Sequence, residues 1–179
     1  PRVHATLRFP ARMMLVAAMN PCPCGYATDP KRKCNCTPNA IARYMGRVSG
    51  PLIDRIDIHI EVPAVSFRAL RGAGSDGLSS EQMRSVVLAA RRVQRKLFGA
   101  NATTTNASMT SRQVRTYCKL DVAGETLLKQ AMTEMGLSAR AHDKVLRVAR
   151  TLADMDGQAD IAAANLAEAI QYRRLDRNA

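Results

Sequence analysis

The chain of 179 residues is long enough for one ordinary domain or two small ones with real cores. Its 27 Lys and Arg against 15 acidic residues, a formal net charge of +12, favour a polyanionic partner, with nucleic acid ahead of an acidic membrane surface. Aromatic residues make up only 4% and Trp is absent, which disfavours a single-strand binder that stacks bases on many rings, and no apolar run is long enough to span a membrane.

No signal peptide opens the sequence, and from a start at Pro1 without an initiator Met a segment of something longer is expected. Cysteines without a secretory signal point to a reducing cytoplasm. The run Met13-Met-Leu-Val-Ala-Ala-Met19 ends at Asn20-Pro21 and predicts a buried strand of a parallel sheet. A second strand is expected at 56–62, where Ile56, Ile58, Ile60 and Val62 alternate with Asp57, His59 and Glu61 before Pro63. Between them, Thr37 as N-cap and Pro38 at the first helical position open a helix. Strand, helix and strand make residues 1–70 an α/β piece.

Residues 71–78, Arg-Gly-Ala-Gly-Ser-Asp-Gly-Leu, read as a linker. Gly72, Gly74 and Gly77 have G-x-G-x-x-G spacing, but no strand runs directly into them, so a dinucleotide fingerprint is rejected. From 79 to 179 the pattern is all-α, so helix predominates in the whole chain. Ser79 and Gln82 form a capping box for a helix stopping at Gly99, with Met83, Val86, Val87, Ala90, Val93 and Leu97 facing inward. Thr110 or Ser111 caps a short helix ending near Cys118. Others run from Asp121 to Gly136 and from Ser138 to about Asp156, and Asp160 is the expected cap of the last. The core face of that last helix is read as Ile161, Ala164, Leu166, Ala167 and Ile170. Arg147 and Arg150 read as surface charge.

Four of the five cysteines fall within 22–36. Cys22, Cys24, Cys34 and Cys36 form C-x-C, nine residues, C-x-C, and each extended triplet turns both thiols to one side. A turn through Asp29-Pro30 brings the pairs together, giving the four-thiolate arrangement of a structural Zn²⁺ site. Disulfides, inert thiols and redox chemistry are the alternatives. With four ligands used, such a site leaves no position for a catalytic water. Its turn presents Lys31, Arg32 and Lys33 either to a phosphate backbone or simply to solvent. Cys118, alone in a helix, reads as packing.

The stretches "LVAAMNPCPCGY" and "SGPLIDRIDIHIEVP", with "LSARAHDKVLRVARTLADMDG" further on, resemble the magnesium-chelatase-like AAA+ ATPases of the bacterial ComM/YifB type. The resemblance covers nearly the whole chain. It implies a hexameric, ATP- and Mg²⁺-dependent DNA motor, a branch-migration helicase of natural transformation. It also implies that residues 1–70 are the C-terminal part of the AAA+ core and 79–179 its helical lid. By that likeness Asn20 is sensor-1, orienting the attacking water, and Arg55 is the arginine finger reaching a neighbour's triphosphate. Arg140 is sensor-2, touching the nucleotide of its own subunit. Asp54 either holds Arg55 or makes a helix-terminal ion pair. His59 is structural.

No G-x-x-x-x-G-K-[ST] and no apolar strand ending in Asp-Glu occurs in these residues. The family places both upstream, so the segment alone is expected to lack ATPase activity. Two other functions compete. A magnesium-chelatase subunit shares the AAA+ parts but lacks the cysteine insertion. A zinc-stabilised nucleic-acid-binding module without catalysis leaves "SGPLIDRID" unexplained.

Overall fold

The structure is a computed structural model and describes residues 9, 13–63, 65, 71, 77–99 and 104–173. Most of the expected linker, 72–76, therefore lies outside the described residues. The chain forms two compact units, Pro1–Met45 and Gly46–Ala179.

In the first unit, residues 13–20 are without regular structure and exposed, with Met14 90% and Val16 82% accessible. Turns occupy 21–32, and α1 (Pro38–Met45) follows. The Thr37 hydroxyl accepts the Ala40 N–H at 3.2 Å, so the expected cap forms. Gly25 sits at φ +83°, a conformation side chains resist, and its N–H donates to the Cys22 carbonyl at 3.0 Å.

The second unit begins with α2 (Gly50–Arg55), entered through Ser49 with Pro51 in its first turn. Residues 56–63 then run without regular structure, and Ile58, Ile60 and Val62 are exposed. Among the described residues no strand forms, so the parallel strands expected at 13–19 and 56–62 are not seen. A strand needs a neighbour for its N–H and C=O groups, and neither run pairs with one here.

The remainder is a helical bundle. α3 (Ser80–Phe98) opens on the Ser79/Gln82 capping box and ends at Gly99 with φ +100°. A 3₁₀ turn, η1 (Asn106–Ser108), precedes α4 (Ser111–Tyr117), capped by Thr110 and Gln113. α5 (Val122–Met135) is capped by Asp121 and closed by left-handed Gly136. α6 (Ala139–Met155) starts at Ser138, whose hydroxyl accepts the Ala141 N–H, and α7 (Ala163–Gln171) ends the described helices.

α6 is the hub, in contact with α3, α4, α7 and η1. Its Val145, Leu146, Ala149 and Ala153 meet Val114, Leu128, Ile161 and Leu166 in the main core. A second cluster joins Ala131, Met135, Leu137 and Ala141. Cys118 is buried beside Met109, and burial pushes its thiol up to about 11, so it is the packing residue expected.

In α3 only Ala90 of the proposed stripe is buried; Met83, Val87 and Val93 are exposed. The contact row is instead Ala90, Gln94 and Phe98, at i, i+4 and i+8, and Phe98 meets Tyr117 edge-on at 5.7 Å. α7 opens at Ala163, where the Ala162 N–H donates to the Asn165 carboxamide at 3.1 Å, so Asp160 is not the cap. Its buried residues are Asn165, Leu166 and Ala169, and Ala164 is exposed.

Arg150 is not surface charge. It is buried, paired with Asp154 at 2.8 and 2.9 Å, and donates to the carbonyls of Gln158 and Ala159. The other Asp154 oxygen accepts from Asn106 at 2.7 Å, so one carboxylate ties η1 and α6 together. Arg147 reaches the Met109 carbonyl at 2.8 Å.

Candidate functional site

The four cysteines of the first unit converge. Cys22, Cys24 and Cys34 lie with sulfurs 3.3 to 3.7 Å apart, and all four Sγ atoms fall within 4.8 Å of one another. Bonds of about 2.3 Å to a tetrahedral ion put sulfurs about 3.8 Å apart, so the donor set fits Zn²⁺. Cys22 is fully buried and the other three are half-buried.

Local turns build this centre. The Asp29 carboxylate accepts the N–H groups of Lys31 at 2.7 Å and Arg32 at 3.1 Å, folding the chain between the two pairs. Backbone N–H groups then face the sulfurs. The Tyr26 N–H, with the Cys22 thiol next, holds the Cys24 thiol down at about 6. Cys36 feels the Cys24 N–H pulling it down, yet the Cys24 thiol and burial push it up to about 12. Four sulfurs this close cannot all ionise by themselves, and a divalent cation would let them.

Lys31, Arg32 and Lys33 are exposed on the turn. Arg32 is not a free cation there: it donates to the Tyr26 hydroxyl at 2.8 Å and lies 5.1 Å from that ring's centroid. Lys31 and Lys33 keep the exposed charge. Asn20 is also exposed, with its carboxamide beside Gly25, where an added Cβ would come within 3.9 Å of it.

Arg55 and Arg140 belong to the second unit. Arg55 is the last residue of α2, exposed, and among the described residues its guanidinium donates to the Pro51 carbonyl of its own helix alone, at 2.8 Å. Asp54 does not hold it. That carboxylate accepts from the Ser138 hydroxyl at 3.0 Å and lies 3.7 Å from Arg173 Nη2. Arg140 stands in the first turn of α6, exposed, on an open hollow of about 570 Å³ with Arg115, Met132, His142 and Asp143. Asp143 is buttressed by His142 at 3.1 Å and Ser111 at 3.0 Å, and these bonds hold its carboxyl below the usual range against the opposing effect of burial.

Sequence reasoning missed the residues that fix the 54–59 segment. Lys144 of α6 donates to the Arg55 carbonyl and pairs with Asp57 at 2.9 Å. Arg173, fully buried, donates to the Ile56 carbonyl. The His59 N–H donates to the Tyr172 carbonyl at 2.8 Å, and its ring lies 3.3 Å from the Ile53 carbonyl, in keeping with a structural role. Spacing offers one hint: Lys144 is four residues after Arg140 on the same helix. For Arg173 there was no signal, since periodicity does not foretell a contact with a segment more than a hundred positions away.

Comparison with known proteins gives two family matches. Residues 77–173 match "Magnesium chelatase, subunit ChlI C-terminal" and residues 1–70 match "Magnesium chelatase, subunit ChlI". The competence protein ComM of Haemophilus influenzae is 40% identical over 98% of this chain and 33% of its own length. The uncharacterized protein YifB of Escherichia coli is 38% identical over 98% of this chain and 34% of its own. An uncharacterized protein of Mycobacterium tuberculosis is 35% identical over 93% and 32%. The chain thus spans about a third of the length of the curated relatives it matches. Among the described residues, no helix is long and apolar enough to cross a membrane.

Proposed function

The chain belongs to the magnesium chelatase subunit ChlI family, and on that premise we propose that it is the C-terminal portion of a hexameric AAA+ ATPase that works in the cytoplasm as a motor on DNA. Arg55 is the finger that stabilises charge on a neighbour's transferring phosphoryl group. Arg140 contacts the nucleotide of its own subunit, and Asn20 orients the attacking water. ATP and Mg²⁺ bind with residues outside this chain, since the phosphate cradle motif is not in it. The four cysteines hold Zn²⁺ and brace a turn whose Lys31 and Lys33 touch phosphates. Branch migration is the activity this reading favours.

The single observation that carries it is the presentation of Arg55. Backbone carbonyls at 55 and 56 are gripped by buried or half-buried cations, while the guanidinium itself is exposed and, among the described residues, tethered to its own helix alone. The net charge of +12 and the competence name of the Haemophilus relative support DNA as the track.

In the full-length protein, Arg55→Ala should cut ATP turnover by about 10³-fold or more while DNA affinity stays within about twofold. Hydrolysis near the parent rate would overturn the finger. A chelatase subunit is the second reading, favoured by the family descriptions, and a zinc-braced binding module without catalysis is the third. DNA affinity that falls steeply with salt separates the motor and the module from the chelatase, and loss of turnover in Arg55→Ala separates the motor from the module.

A further inference from the structure

The carbonyls at the end of a helix have no partner within it, and whatever binds them fixes the backbone direction there. At the end of α2 the Arg55 carbonyl receives the Lys144 ammonium, and the next carbonyl, of Ile56, receives Arg173. Both cations come from the bundle: Lys144 from α6, Arg173 just beyond α7. The conformation of residue 55, and with it the direction in which its side chain leaves the helix, is therefore set by lid residues.

Lys144 is poorly explained as a stability device. Its partner Asp57 is 60% exposed, so water screens the pair. The 54–59 segment has other anchors in Ser138 and Arg173 on Asp54, and in the His59–Tyr172 backbone bond. What Lys144 alone supplies is a charge on the Arg55 carbonyl. It also stands one helical turn after Arg140, about 6 Å along the axis.

We propose that Lys144 is a positioning residue for Arg55, making α6 the element that ties the finger's aim to the helix bearing Arg140. This rests on the reading of Arg55 as a finger. A guanidinium that meets a transferring phosphoryl group tolerates little displacement, since a misplacement of about 1 Å can cost about 100-fold in rate.

The test is ATP turnover by the full-length protein. Lys144→Met, which keeps the stem and removes the charge, should lower kcat by about 10- to 100-fold and leave KM for ATP within about twofold, because contacts to bound ATP are untouched. Lys144→Arg should recover kcat to within about threefold of the parent, which a merely volumetric role would not require. Should Lys144→Met not assemble, Asp57→Asn replaces it, with kcat down about threefold at unchanged KM. Parent-like kcat in the variant tested, a parallel loss of kcat and ATP affinity, or no recovery with Arg overturns the proposal. Arg55→Ala run beside these separates the two failures. If it is inactive while Lys144→Met is parent-like, only the positioning is wrong; if it stays active, the finger reading falls and takes the positioning with it.

Discussion

The cysteine finger and the helical bundle keep their shapes by different means. Among the described residues of the first unit Cys22 alone is buried, and α1 buries none. The bundle buries Val114, Leu128, Val145, Leu146, Ile161 and Leu166 in one continuous core around α6. Ordering a residue costs about 1–2 kcal/mol of backbone entropy, and one buried side chain returns about 1.5–3 kcal/mol at best. Burial therefore contributes almost nothing to ordering residues 22–36, whereas in the bundle it is spread over a continuous core. Shape in the first region rests on turn hydrogen bonds and on four convergent sulfurs that could hold a cross-linking ion, and in the second on packing.

The sharpest way to break that contrast is to strip the cysteine cluster of the Zn²⁺ proposed for it. Chelation, or Cys22→Ser, should take metal content from about one per chain to near zero and open protease sites within 22–36. The bundle's far-UV helical signal and unfolding midpoint should hold. A finger that stays protected without metal would erase the distinction. Next in size, Asp154→Ala leaves Arg150 as a buried cation without its counter-ion and Asn106 with the Thr151 hydroxyl as its remaining acceptor. It should cost the bundle about 3–5 kcal/mol in urea unfolding, and metal content should not change. The smallest effect sharpens the picture of packing. Gly136 sits at φ +62° with no atom within 4 Å of an added Cβ, so Gly136→Ala strains the backbone without a clash. About 1–2 kcal/mol is expected, and a larger loss would mean that α5 and α6 meet more tightly there than the open space indicates.

What was legible in the sequence was local. Ser79 with Gln82, Thr110, Asp121, Ser138 and Gly136 mark helix ends because a cap is chemistry between residues three or four apart. The cysteine cluster was readable for the same reason, its two C-x-C pairs being joined by a turn that Asp29 closes. The strands were not. Alternation at 56–62 says which face a side chain would take in a sheet, but whether a sheet exists depends on a neighbour the pattern does not contain. Arg150 was misread although Asp154 lies four residues on, because hydropathy alone sends a cation to the surface and pairing overrides it. Arg173 could not be found, since a contact with a carbonyl 117 positions away leaves no trace in spacing, and for Lys144 spacing gave only its place one turn after Arg140, not its contact 89 positions back.

One junction in the finger carries a consequence for chemistry rather than for architecture. Cys36 is followed at once by Thr37, the residue that starts α1, an eight-residue helix with no buried side chain. Helices shorter than about 12 residues seldom persist in water unaided. The helix at 38–45 therefore leans on its N-terminal attachment, where Thr37 caps it and Cys36 joins the sulfur cluster. Peroxide or another thiol oxidant that unfastens it would be registered as lost helicity next door, turning four sulfurs into a gauge that the backbone displays.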